Sequence, residues 1–254
     1  MKIKYFIIII TLATLFSCKE KPVALHKISG KQININDSIA GNEDITGFVA
    51  PYKDHLNKTL DSPLAYSPKA LPKKYTGVLN IALGNLLADI VFEQTNPVFK
   101  QRSGKDADFV LMNHGGLRAP IPKGNITTRT AYEVMPFENK LVVVELSPEK
   151  LEELLDYLIK RKRAHPISSQ LNITVNSNDE LKEVTIHKKP IEKDRTYHVI
   201  TSDYLMRGGD RMLFFADAVS VTETDYLVRN AIIDYFKKTD TITAVRDNRF
   251  IKVD

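Results

Sequence analysis

The chain has 254 residues, 43% of them hydrophobic and 26% charged, an ordinary globular composition long enough for a full core, which excludes wholesale disorder. Its 36 lysines and arginines stand against 31 aspartates and glutamates, a net charge of +5 spread along the sequence, and so mild an excess does not by itself point to a nucleic-acid polymer. A single cysteine excludes a disulfide framework and any zinc site built on thiolates.

In chain order, Lys2 and Lys4 precede an uncharged apolar run from Phe6 to Phe16, then Ser17 and Cys18. That run is too short to span a hydrocarbon core of about 30 Å, so residues 1–17 read as a signal peptide. Leu15-Phe16-Ser17-Cys18 resembles the lipobox of bacterial lipoproteins, in which the thiol is diacylated and becomes the new N-terminus. The resemblance implies a lipid anchor at Cys18 and a place in the cell envelope, on the periplasmic or surface face of an outer membrane; the alternative is a secreted protein with an incidental cysteine. Two or three acyl chains hold a protein on a membrane where one does not. Residues 18–40 read as a polar tether with one short strand at Gln32 to Ile35, and a single domain is expected over residues 41–254.

Ile45, Phe48, Val49, Tyr52, Leu56 and Leu60 recur at helical steps, with Pro51 as a kink or a restart. A second helix is expected over residues 83–95, its stripe Leu83, Leu86, Leu87, Ile90 and Val91, with Asp89 off the stripe. Asp108 to Met112 reads as a buried strand opening into Asn113-His114-Gly115-Gly116. Leu141 to Leu146 is another strand, and Ser147 and Pro148 then cap a helix through Leu151, Leu154, Leu155 and Leu158. The basic run Lys160 to Arg163 reads as a solvated helix end. Strands follow at Asn172 to Val175, Val184 to His187 and His198 to Thr201, then a last helix from about Asp225 to Lys237 and a closing strand at Phe250 to Val253. Strands and helices mixed without strict alternation predict an α+β fold.

The familiar self-sufficient chemistries are missing. No Gly-x-Ser-x-Gly elbow, phosphate-binding P-loop or His-Glu-x-x-His pair occurs. The six histidines, at 26, 55, 114, 165, 187 and 198, lack the spacing of a dinuclear centre, so no metal ligand is assigned. What remains is two glycine pairs, Gly115-Gly116 and Gly208-Gly209. Paired glycines after an apolar run permit positive φ and close approach of backbone to a ligand. Asn113 and Arg118 flank the first pair, an amide and a planar guanidinium suited to phosphate. Asp203, Tyr204, Arg207, Asp210 and Arg211 surround the second, offering a carboxylate for hydroxyls and an aromatic face. On residue chemistry alone, tight turns with solvated charges are the favoured reading of either loop taken singly.

Five ordered motifs decide between them: Leu83-Gly84-Asn85-Leu86-Leu87-Ala88-Asp89, Asn113-His114-Gly115-Gly116-Leu117-Arg118, Gly124-Asn125-Ile126-Thr127, Met135-Pro136-Phe137-Glu138-Asn139, and Ser202-Asp203-Tyr204-Leu205-Met206-Arg207-Gly208-Gly209-Asp210. In this order they resemble the C-terminal, substrate-binding domain of the 5'-nucleotidase family, from about Ile45 to the end. The resemblance implies a four-layer α/β/β/α arrangement. It also implies that Phe137 and Tyr204 sandwich the base, Asp210 accepts from the ribose hydroxyls, Asn113 lies near ribose and base, and Arg118 meets the phosphate. This chain departs from the pattern at Gly77, where family members carry a phosphate-binding arginine, and at Asn80, where a glutamate is usual. His114 also replaces a glycine, and Tyr204 the commoner phenylalanine; Arg207 and Arg211 stand as substitutes for the missing arginine.

In that family a metallophosphoesterase domain with two divalent metals precedes this one, and the span from Cys18 to Ile45 has no room for it. The expectation is the nucleotide-binding half of a split 5'-nucleotidase in nucleotide catabolism. It would hydrolyse phosphoric monoesters of nucleosides only with a separate metal-bearing chain, carrying no cofactor of its own. The alternative is a non-catalytic lipoprotein that binds nucleosides or nucleotides.

Overall fold

A computed structural model describes residue 3, residues 25–36 and residues 38–254 of the chain, so the leader and Cys18 lie outside the described residues. The chain divides into two units, residues 1–49 and 50–254. In the first, the described residues are irregular from 25 until helix α1 (Glu43–Leu60) begins. The expected strand at Gln32 to Ile35 does not form: Ile33 and Ile35 are exposed and, among the described residues, no strand pairs with them to hold an extended backbone. Asn42 caps α1 by accepting from the Ile45 amide at 3.1 Å, and the helix runs through Pro51 without a break. None of its residues is buried, so the predicted stripe forms on a helix whose apolar side is exposed.

The second unit continues with β1 (Pro63–Ser67), α2 (Ala82–Ser103), β2 (Phe109–Val110), β3 (Gly124–Thr127), α3 (Thr128–Val134), β4 (Lys140–Leu146) and α4 (Pro148–Arg161). It ends with β5 (Leu171–Val175), β6 (Leu181–Ile186), β7 (Lys189–Pro190), β8 (Tyr197–Ser202), α5 (Asp203–Met206), β9 (Ser220–Leu227), α6 (Val228–Lys238) and β10 (Phe250–Lys252). One four-stranded sheet runs β2-β8-β4-β9, a second β10-β5-β6-β7, and β1 pairs with β3. This is the expected α+β class.

β4 is buried on both faces of the first sheet, which is why it reads as a continuous apolar run rather than an alternating one. Leu141 and Val143 pack with Leu83 and Leu87 of α2 and Ile232 and Phe236 of α6. Val142, Val144 and Leu146 face the other way, onto Leu151, Leu154, Leu155 and Leu158 of α4 and Leu171 and Ile173 of β5. Each such side chain contributes about 1.5–3 kcal/mol by leaving water. Ser147 accepts from the Lys150 amide at 3.4 Å with Pro148 at the first position, so α4 starts where its sequence signals place it.

Of the element boundaries that differ from expectation, two have a visible cause. Helix α2 continues past residue 95, through Pro97, until Gly104 takes up φ 72° and ends it. The last helix begins at Val228 rather than Asp225, because residues 220–227 are strand β9. β9 is an edge strand with little buried side chain and a register shift at its pairing with Leu141 and Val142, so it lacks an apolar alternation to read.

The first motif turns out to be a clamp. Asn85 and Asn80 are buried; Asn85 Nδ2 donates to Asn80 Oδ1 at 3.0 Å and to the Val245 carbonyl at 3.1 Å, and Asn80 donates to the carbonyls of Asp247 and Phe250. Asp89, off the apolar stripe, takes two parallel bonds from Arg249 at 3.0 and 2.8 Å, and Arg249 is only 4% exposed. These bonds fasten the segment that leads into β10. Asn80 therefore makes two backbone bonds in the place where the resemblance expects a glutamate.

Candidate functional site

The topology explains how residues far apart in sequence meet. β2 and β8 are parallel neighbours, with Phe109 beside Val199 and Val110 beside Ile200, so their C-terminal ends lie at one edge of the sheet. β4 runs antiparallel to β8, with Leu141 opposite Ser202, so the loop entering β4 arrives at the same edge. Asn113 follows β2, Phe137 precedes β4, and Tyr204 and Asp210 follow β8. Ligands in sheet proteins of mixed type commonly sit in such a crevice beyond the strand ends.

All five residues expected to hold a ligand, Asn113, Arg118, Phe137, Tyr204 and Asp210, line one cavity of about 380 Å³ together with Gly115, Gly116 and Asn139. That volume lies in the range of small-molecule sites. Phe137 is 39% exposed and Tyr204 45%, so neither ring is spent in the core and each has a face available. Asp210 is fixed from three sides: Asn113 Nδ2 donates to Oδ2 at 2.7 Å, the Tyr204 hydroxyl to Oδ1 at 3.4 Å, and the Tyr157 hydroxyl to its carbonyl at 2.9 Å. The Asp210 amide in turn donates to the Tyr204 hydroxyl at 3.3 Å. The tyrosine hydroxyl thus has a positioning use that phenylalanine would not supply. Arg118 stands with its guanidinium carbon 5.8 Å from the Phe137 ring centroid, a cation over an aromatic face.

The glycine pairs serve chiefly space. Of the four, only Gly208 has positive φ, at 85°. A Cβ on Gly116 would sit 2.8 Å from Asn113 Oδ1, and one on Gly209 would lie 2.5 Å from the Tyr204 ring. The glycines admit the ligand-facing side chains themselves. The positive φ values fall instead on Asp210 and Arg211, at 53° and 64°, which costs on the order of 1–3 kcal/mol each and is typical of functional turns.

His114 does not face this cavity: its Nε2 lies 3.1 Å from the Lys73 carbonyl and its ring packs edge-on against Tyr75, and burial lowers its pKa. Among the described residues Arg118 is the one cation lining the cavity, since neither Arg207 nor Arg211 joins it, and Gly77 has φ 63°, a conformation that disfavours the arginine common at that position. Asn139, which closes the Pro-Phe-Glu-Asn motif, joins the lining beyond the five expected residues. Among the described residues, no group of three or more His, Cys, Asp or Glu is placed to hold a metal ion, so these residues do not fit the dinuclear centre of a phosphoesterase. The donor set is one for holding a ligand: two rings, a carboxylate, two amides and a guanidinium.

Comparison with known proteins bears on which ligand-holding domain this is. The model of the 5'-nucleotidase C-terminal domain matches residues 65–217, more than half of the chain. The chain is 28% identical over 238 residues to the cell wall protein Lmo0130 of Listeria monocytogenes, covering 84% of this chain and 30% of that protein. It is 26% identical over 189 residues to the protein UshA of Yersinia enterocolitica, covering 72% of this chain and 34% of that one. This chain therefore spans about a third of the length of these relatives. A 5'-nucleotidase precursor from Thermus thermophilus superposes with a TM-score of 0.68 at 23% identity, over 83% of this chain and 42% of that structure, a likeness of fold. The loops that build the cavity, residues 113–118, 135–139 and 202–210, all fall inside the matched span. The chain belongs to the family of 5'-nucleotidase C-terminal domains.

Proposed function

We propose that this chain is a nucleotide-binding module that presents nucleoside monophosphates for hydrolysis by a separately encoded metallophosphoesterase. The base lies between Phe137 and Tyr204, Asp210 accepts from the ribose hydroxyls, Asn113 bonds ribose or base, and Arg118 meets the phosphate. The single observation that supports this reading best is that both exposed rings, the fixed carboxylate and a guanidinium line one cavity. Stacking contributes about 1–3 kcal/mol per base and tolerates any base, so several nucleotides are accepted. What the chain contributes to reaction is orientation: a nucleotide held at base, ribose and phosphate has lost most of its rotational freedom before the phosphorus is attacked. The metals and the water belong to the other chain in this reading. Acylation at Cys18 holds the module at the cell envelope, in keeping with the sequence signals and with relatives that include a cell wall protein; among the described residues no helix is long and apolar enough to cross a membrane.

The test is recovery of the full-length protein from membranes with its associated chains, followed by a phosphatase assay. Metal-dependent release of phosphate from nucleoside monophosphates, lost with Phe137→Ala, is expected. Nucleotide binding with no phosphate release from any common nucleotide contradicts the split enzyme and favours the non-catalytic binder. Cys18→Ala moves the protein out of the membrane fraction; an unchanged distribution contradicts the lipid anchor.

A further inference from the structure

The basic run Lys160 to Arg163 divides by residue type. Lys160 pairs with Asp156 at 2.7 Å and Lys162 pairs with Asp179, but Arg161 and Arg163 have no carboxylate partner among the described residues. Lys162 ends α4 in a left-handed conformation, φ 50°, and the turn this makes brings Arg161 and Arg163 onto a second cavity, of about 180 Å³. Arg211 comes to the same cavity from the turn after β8, and Tyr157 and Asp210 complete the lining. Asp210 lines both cavities, so the second adjoins the first at that residue.

Three guanidiniums are thus gathered where one carboxylate is present, and that carboxylate is engaged by Asn113 and Tyr204. Five arginines elsewhere, Arg102, Arg129, Arg195, Arg229 and Arg249, each have a carboxylate within 4 Å, whereas Arg118, Arg207 and Arg246 do not join this cavity. A cation at a helix C-terminus is favoured by the helix dipole, which accounts for Arg161 alone. It does not account for Arg211, which is delivered by two successive residues in the left-handed region. His165, buried at 3% exposure, packs on Tyr157 at 5.7 Å between centroids. Its Nδ1 accepts from the His114 amide, which leaves the proton on Nε2, a buried donor without a partner among the described residues.

We propose that the cavity formed by Tyr157, Arg161, Arg163 and Arg211 is a second anion site that binds a phosphoryl group beside the nucleotide. Planar guanidiniums take phosphate oxygens in pairs, and three of them around one small cavity suit a dianion better than a carboxylate. The phosphoryl group has two sources: free phosphate, or a second phosphate on one ribose oxygen of the bound nucleotide, which leaves only the other ribose hydroxyl to donate to Asp210. The link to the nucleotide rests on the function proposed above, whereas the anion site does not.

Calorimetry on the full chain separates these cases with AMP, adenosine 3',5'-bisphosphate and inorganic phosphate, on wild type and on Arg161→Gln/Arg163→Gln, whose exposed side chains leave the core untouched. The bisphosphate is expected to bind about tenfold or more tightly than AMP, with that ratio falling toward one in the double variant. Inorganic phosphate that binds in the presence of AMP and is lost in the variant, with no advantage for the bisphosphate, supports the site with free phosphate as its occupant. If AMP fails to bind while phosphate still requires the two arginines, the nucleotide reading falls and the anion site stands. If AMP binds but neither the bisphosphate nor phosphate depends on the arginines, the anion site is overturned and the nucleotide reading stands.

Discussion

At the scale of the residue, the site consists of side chains that hold one another before any ligand arrives. Asp210 is the hub, fixed by Asn113, Tyr204 and Tyr157. Phe137→Ala or Tyr204→Ala should each weaken nucleotide binding by about 1–3 kcal/mol, roughly five- to 150-fold in Kd, without changing the fold. Gly209→Ala tests positioning separately from stacking: its new Cβ would overlap the Tyr204 ring. Titration of this variant should show a loss comparable to Tyr204→Ala although both rings remain; undiminished affinity would show that the ring position does not matter. These residues were legible in sequence because they stand in short motifs where an aromatic, a carboxylate and glycines cluster. Two things were not: the role of the glycines as room for Asn113 and Tyr204, and the split of Lys160 to Arg163 into lysines paired with carboxylates and arginines that, among the described residues, are not. Both depend on contacts across the fold.

Elements carry a different division of labour. Apolar periodicity predicted α2, β4, α4 and β8 because these are buried, and burial writes itself into the order of residues. β9 escaped because an edge strand with little to bury leaves no such record. The clamp of Asn80, Asn85 and Asp89 was half visible: Asp89 stood off the α2 stripe, but its partner, Arg249, lies 160 residues away. Removing Arg249 leaves two carboxylates that retain some contact with water, Asp89 and Asp247, so Arg249→Met should cost about 2–3 kcal/mol rather than the larger penalty of a fully buried orphan. Urea unfolding measures this, and a change under about 0.5 kcal/mol would mean the clamp is ornamental. Ser147→Ala removes the α4 cap and should cost about 1 kcal/mol in the same experiment.

For the whole molecule, proton binding links the site to stability. Burial holds His165 at about 4 in the fold, against about 6.5 in the unfolded chain. Between those values the unfolded chain takes up a proton that the folded one refuses, so stability falls as pH drops from about 6.5 to 4, by up to about 3 kcal/mol. His114 and His198 are shifted the same way by burial and add to the slope. His165→Asn keeps an acceptor for the His114 amide and should flatten the pH dependence of the unfolding midpoint; an unaltered slope would assign it to other groups. The central claim, however, is that the crevice at the ends of β2 and β8 holds a nucleotide between two rings. Calorimetric titration of AMP into the full chain addresses it directly. Saturable one-to-one binding, reduced at least fivefold by Phe137→Ala and by Tyr204→Ala, is the predicted result, and either no binding or binding indifferent to both rings would contradict it.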